Sequence, residues 1–154
     1  MAKLMMHPDQ SLGRYLIAKQ SFARDEPVME YIGFQYTNTE AKQKQMRDAR
    51  CGRLISYQTS VGGKYIVDPS HYGNLARFAN CSHDFNMVLR TFIVDGVYRV
   101  FYVAHREIKV GNELLASYGD GYCDNNGVFV ECKCQSKCNA AGSFPSNKES
   151  WGTN

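Results

Sequence analysis

The sequence predicts a single, mainly β domain with one or two short helices. Three observations carry this. The chain has 154 residues, enough for one domain and too few for two of ordinary size. Short runs rich in Val, Ile, Phe and Tyr recur along it, each closed by turn residues. A single stretch, residues 39–53, has the composition and punctuation of a helix. With 44% apolar and 21% charged residues the composition is that of a globular protein, able to build a core without disulfides.

Taken in order, residues 1–10 read as a loose leader. Residues 16–22 and 28–36 read as strands, joined by the turn Asp25-Glu26-Pro27. The helix at 39–53 takes Asn38 or Thr39 as its cap and stops at Gly52; its mostly polar surface places it outside. Strands at 55–60 and 65–67 flank Gly62-Gly63, a hairpin signal. A stronger one is Asp95-Gly96 between 88–94 and 97–103, because both residues accept the positive φ of a type I′ turn. Residues 107–112 turn the chain, and 114–118 form a last short strand. After Cys138 the sequence NAAGSFPSNKESWGTN predicts a flexible tail.

The net charge of +3 is spread along the chain, and no basic block marks a nucleic-acid groove. No apolar run reaches the roughly 18 residues of a membrane span, and the first ten residues lack a signal core, so neither a span nor secretion is expected. Cys51 and Cys81 stand alone, while Cys123, Cys132, Cys134 and Cys138 crowd near the end. That clustering suits a metal site in a reducing compartment better than a disulfide framework.

The densest polar segment is YIVDPSHYGNLARFANCSHDFN, residues 65–86. A loop tied down by its own Asn and Asp side chains accounts for it, and so does a functional site. Its companions are SLGRYLIAKQSF upstream, EYIG at 30–33, ELLASYGDGY downstream and CKCQSKC at 132–138. In this order, from Gly13 to Cys138, they resemble the SET-domain protein lysine methyltransferases. Gly13 matches the first glycine of that family's Gly-x-Gly motif, and Tyr15 replaces the second. Gly73, Asn74, Arg77, Phe78, Asn80, Ser82 and Asn86 match its central motif; Glu113, Leu114, Tyr118 and Gly119 match its last.

The resemblance implies a SET fold of small curved sheets over residues 11–122, with a C-terminal pseudoknot, and a post-SET-like cysteine segment with tail at 123–154. It implies S-adenosylmethionine as methyl donor, S-adenosylhomocysteine as product, and a lysine of a histone tail or another protein as acceptor, hence action in the nucleus on chromatin. Gly119-Asp120-Gly121 lacks the third glycine of a dinucleotide-binding turn, which disfavours a Rossmann-type methyltransferase.

Methyl transfer to lysine is an in-line displacement that needs a neutral amine. A free lysine has a pKa of about 10.4, so about one in 2,500 is neutral at pH 7. Desolvation and a nearby cation favour the neutral form, and aromatic walls with hydroxyls hold the stem and aim the nitrogen. The resemblance assigns catalysis to Tyr118, and Tyr57 is a second candidate. Gly13, Arg14, Tyr15, Tyr72, Arg77, Asn80, Cys81 and Tyr118 become the cofactor residues, although Arg77 also suits a structural ion pair. Tyr57, Ala116 and Tyr118 become the substrate channel. Ala116 stands where the family often carries a ring that limits methylation, which predicts products beyond monomethyl-lysine.

Where the family reads His-Ser-Cys, this chain reads Cys81-Ser82-His83. The implied structural zinc site is then His83, Cys132, Cys134 and Cys138, with Cys81 or Cys123 as alternative fourth ligands; zinc accepts three thiolates and an imidazole. The Tyr15 replacement and the Cys81–His83 exchange also suit a catalytically inactive SET-fold module that binds a peptide or protein partner. The stretch YGDGY…NN…FVECKC resembles the branch that methylates a histone H4 tail lysine.

Overall fold

A computed structural model describes residues 2–6, 13–52 and 57–117. Among the described residues ten strands pair into three small sheets, accompanied by one α-helix. Strands β1 (Ala2–Met6) and β2 (Arg14–Ala18) make an antiparallel pair, Ala2 opposite Ala18 and Met6 opposite Arg14. Residues 2–6 are therefore a paired strand and not part of a loose leader; alternation in so short a run is too weak a signal to read alone.

The expected strand at 28–36 is two strands, β3 (Pro27–Glu30) and β4 (Phe34–Thr37), which enter different sheets. The break has a steric cause at Gly33. A Cβ there would stand 2.5 Å from the backbone carbon of Asp68, so the chain passes close against β6 and changes sheet. Helix α1 (Asn38–Arg50) follows β4 directly. Its cap is Thr37, one residue before the expected pair, because Glu40 completes a capping box with it: Thr37 N donates to Glu40 Oε2 at 2.8 Å and Glu40 N to Thr37 Oγ1 at 3.3 Å.

Strands β5 (Thr59–Val61) and β6 (Tyr65–Asp68) form the hairpin expected at Gly62-Gly63, with a three-residue connection. With β4 they make a sheet of order β4-β6-β5, which α1 covers through Ala41 and Lys44. The main sheet has the order β3-β9-β8-β10-β7. Its spine is the hairpin of β8 (Met87–Val94) and β9 (Val97–Ala104), where Asp95 and Gly96 take φ of 51° and 76° as a type I′ turn requires. The core lies behind this hairpin and includes the fully buried side chains of Leu16, Met87, Ile108 and Leu114.

The remaining two strands thread. Strand β7 is Asn80–Cys81 and β10 is Leu115–Ala116; β10 runs parallel to both β7 and β8 and lies between them. Ala116 faces Cys81 on one side and Met87 on the other, so residues 82–86 must cross over β10 to join its two neighbours. This is the pseudoknot. Among the described residues no helix is long and apolar enough to cross a membrane.

Candidate functional site

The central polar segment supplies three asparagines, and each ties down a distant part of the chain. Asn74 caps the 3-10 turn Leu75–Phe78, accepting from Ala76 N at 3.3 Å, and donates to Glu30 O at 2.7 Å. Asn86 locks the crossing. Its Nδ2 donates to Glu113 O at 2.8 Å and its Oδ1 accepts from Leu115 N at 2.9 Å, serving backbone groups that no strand partner reaches. Those two roles are structural.

Asn80 differs. It is half-buried, and its Nδ2 donates to Glu113 Oε1 at 2.9 Å and stands 3.4 Å from Arg14 O. It therefore joins three segments: the entry to β2, the segment after the 3-10 turn, and the approach to β10. Gly13 opens the first of these with φ of 69°, a left-handed conformation that favours glycine, and nothing lies within 4 Å of where its Cβ would be. Tyr15 sits within strand β2, half-buried. A left-handed backbone would have demanded glycine there, and Tyr15 does not adopt one, so the replacement is conformationally free.

Two residues before Asn80, the Phe78 ring meets two guanidiniums. Arg14 lies 5.3 Å and Arg77 4.8 Å from its centroid, and Arg77 Nη1 donates to Pro69 O at 2.9 Å. Gly73 packs against the same loop, where a Cβ would stand 2.5 Å from Pro69 Cβ. Gly13, Arg14, Tyr15, Arg77 and Asn80 are thus neighbours around one rim. Tyr72 lies on the surface, 61% exposed, with its ring 5.5 Å from that of Phe34. Cys81 is buried in β7.

Two further residues make supporting contacts, and sequence reasoning gave neither a site role. Tyr31, buried and edge-on to Tyr102 at 5.6 Å, donates its hydroxyl to Tyr57 O at 2.7 Å. Glu113 holds Asn80. Both stand in motifs that the sequence displays, EYIG and ELLASYG, but a motif match alone does not say which member faces the site. Tyr57 is half-buried, and Ala116 is fully buried among core residues.

Behind the rim lies a buried charge network. Asp68, 1% exposed, accepts from Ser70 N at 2.8 Å, from Ser70 Oγ, from Gln58 Nε2 at 3.1 Å and from Lys44 Nζ at 3.0 Å. Burial pushes its pKa up, but the hydrogen bonds from Ser70, Gln58 and Lys44 outweigh it and hold the carboxyl below its usual range. Burial pulls Lys44 down, and Asp48 and Asp68 together raise it above the usual lysine value.

His83 is half-exposed on the crossing segment. Among the described residues no group of three His, Cys, Asp or Glu is placed to hold a metal. Tyr118, Cys123, Cys132, Cys134 and Cys138 lie outside the described residues.

A SET domain sequence model matches residues 13–119. The N-lysine methyltransferase KMT5A-A of Xenopus laevis is 33% identical over 121 residues, covering 76% of this chain and 36% of that protein. The histone-lysine N-methyltransferase EZH2 of Chaetomium thermophilum is 28% identical over 135 residues, covering 82% of this chain and 9% of that protein. Among solved structures, the crystal structure of the Chaetomium thermophilum polycomb repressive complex 2 aligns with a TM-score of 0.71 at 27% identity, covering 82% of this chain and 16% of that chain. The same complex in an autoinhibited conformation bound to S-adenosylmethionine aligns with a TM-score of 0.67 at 28% identity, over 77% of this chain and 15% of that one. The chain spans about a third of the first relative's length and less than a tenth of the second's.

Proposed function

The chain belongs to the SET-domain family, and on that premise we propose that it transfers a methyl group from S-adenosylmethionine to a protein lysine, a histone tail being the favoured acceptor. The observation that carries this is the convergence of Gly13, Arg14 and Asn80 with Glu113 on one rim, where the Arg14 and Arg77 guanidiniums both lie over the Phe78 ring.

The donor set fits the methionyl part of the cofactor. A zwitterion needs cationic donors for its carboxylate and acceptors for its ammonium; the rim offers the exposed Arg14 guanidinium and Arg77, and the Arg14 carbonyl. Tyr15, Tyr72, Cys81 and Tyr118 complete the cofactor residues. When bound, the cofactor supplies an electrophilic methyl on a cationic sulfonium. The chain's own residues bring the amine to it. Tyr57 and Tyr118 wall the lysine channel and exclude water, which favours the neutral amine, and the Tyr118 hydroxyl orients the nitrogen for in-line attack. Tyr31 fixes the Tyr57 backbone through its 2.7 Å hydrogen bond. Ala116 contributes only a methyl group at the position where a ring would restrict the channel, so product-resolved mass spectrometry should detect di- or trimethyl-lysine.

His83, Cys132, Cys134 and Cys138 are the proposed structural zinc ligands, joining the domain, which runs to residue 122, to the cysteine segment at 123–154. A zinc-to-protein ratio near one by elemental analysis, falling in His83→Ala, is the expected result. A histone acceptor would place the protein at chromatin.

The test is incubation with methyl-labelled S-adenosylmethionine and the core histones. Label on a histone, lost in Tyr118→Phe, is expected. Binding of cofactor without transfer to any protein would favour the inactive binding module.

A further inference from the structure

Lys44 occupies an uncommon position for a lysine. It lies with Ala41 on the face of α1 that covers the three-stranded sheet, and its side chain is 9% exposed. Its Nζ is 3.0 Å from Asp68 Oδ2 and also meets Asp48, one turn further along the helix. Net stability does not explain the pair, since apolar residues of similar volume would fill the same space without desolvating two charges.

Its partners point to another role. Through Gln58 Nε2, at 3.1 Å, Asp68 holds the residue next to Tyr57. Through Ser70 it fixes the turn that begins at Pro69, and the Pro69 carbonyl accepts the Arg77 guanidinium at 2.9 Å. The turn cannot shift on its own. The Asp68–Pro69 backbone presses on Gly33, and Gly73 presses on Pro69, with no room for a Cβ at either glycine. One carboxylate therefore touches both the segment that leads from Tyr57 into β5 and the loop that holds Arg77.

We propose that Asp68, fixed from helix α1 by Lys44, is a positioning residue that sets Tyr57 and Arg77 in register, coupling the lysine channel to the cofactor cradle. This rests on the methyltransferase reading above, and the test separates the two. S-adenosylhomocysteine is titrated calorimetrically into the whole chain as wild type, K44M, D68N and the double variant K44M/D68N, with melting temperatures measured in parallel.

K44M leaves the buried Asp68 carboxylate without its cation, and D68N leaves Lys44 with Asp48 alone; each is expected to lose stability and bind at least about tenfold more weakly. The double variant is decisive. Removing both charges restores much of the melting temperature, because the one partner left over, Asp48, still reaches solvent with its side chain 24% exposed, while the affinity loss and a raised KM for S-adenosylmethionine persist. A double variant that melts near wild type and binds as wild type does would reduce the pair to fold maintenance and overturn the proposal. No binding by wild type would instead overturn the methyltransferase reading itself, and this inference with it.

Discussion

Two regions of the molecule bury polar groups by different means. Around the crossing, β7, β10 and β8 are held by backbone groups and by neutral amide side chains: Ser82 N donates to Ala116 O at 3.1 Å, Asn86 N to Leu115 O at 3.0 Å, and the Asn86 amide serves Glu113 and Leu115. Where α1 covers the sheet β4-β6-β5 the buried polar groups are charged, Asp68 of β6 and Lys44 of α1, and they close on each other and on neighbouring side chains. Neutral amides satisfy a crossing cheaply and in one geometry. An ion pair is weaker as a stabiliser but ties together elements that share no ladder, here α1, β6 and the loop before Arg77. The crossing therefore holds the fold, and the charged node tunes how the site's walls meet.

The difference can be broken from either side. Asn86→Ala should have the largest effect, because it leaves Glu113 O and Leu115 N buried without partners. A loss of about 2–5 kcal/mol by chemical denaturation is expected, and a loss within error would show that the amide does not lock the crossing. Gly33→Ala strikes the outer sheet, forcing a Cβ against the Asp68–Pro69 backbone. Overpacking of this kind should cost about 1–3 kcal/mol, with β4 pushed away from β6.

Acid sharpens the contrast. The Asp68 carboxyl is depressed in the folded protein, so its contribution is present above the unfolded value of about 4 and fades as pH falls through the lower folded value. Lys44 is raised, so its share is present below about 10.4 and fades as pH climbs through the higher folded value. Stability should be level between those limits and fall on the acid side, and D68N should flatten that fall. An acid limb of unchanged depth in D68N would assign it to other carboxylates. The smallest effect is at the helix start. Thr37→Ala removes the hydroxyl that accepts Glu40 N and should cost about 1 kcal/mol in a thermal melt.

Much of this was legible in the chain. The Asp95-Gly96 hairpin reads directly, since the turn chemistry and the flanking β-branched residues agree. The order of motifs from Gly13 to Gly119 points to the family, and the matched span begins and ends there. Threading was legible only through that resemblance, because a two-residue strand such as Leu115–Ala116 carries no periodic signal and alternation never names a partner. The break between β3 and β4 depends on a close approach at Gly33 that no local pattern displays. Lys44 was invisible for a different reason. In a helix of Lys, Gln, Arg and Asp it reads as one more solvated charge, and only the packing on β6 shows that it faces inward.

The account rests most heavily on Asn80, the side chain that joins the β2 entry to the approach to β10 and that we assign to the cofactor rim. Titrating S-adenosylmethionine into wild type and Asn80→Ala, with melting temperatures as a control for folding, tests that claim most directly. We predict one molecule bound per wild-type chain and at least about a tenfold weaker affinity in a variant that still folds. Equal affinity in the two proteins, or no binding in wild type, would contradict it.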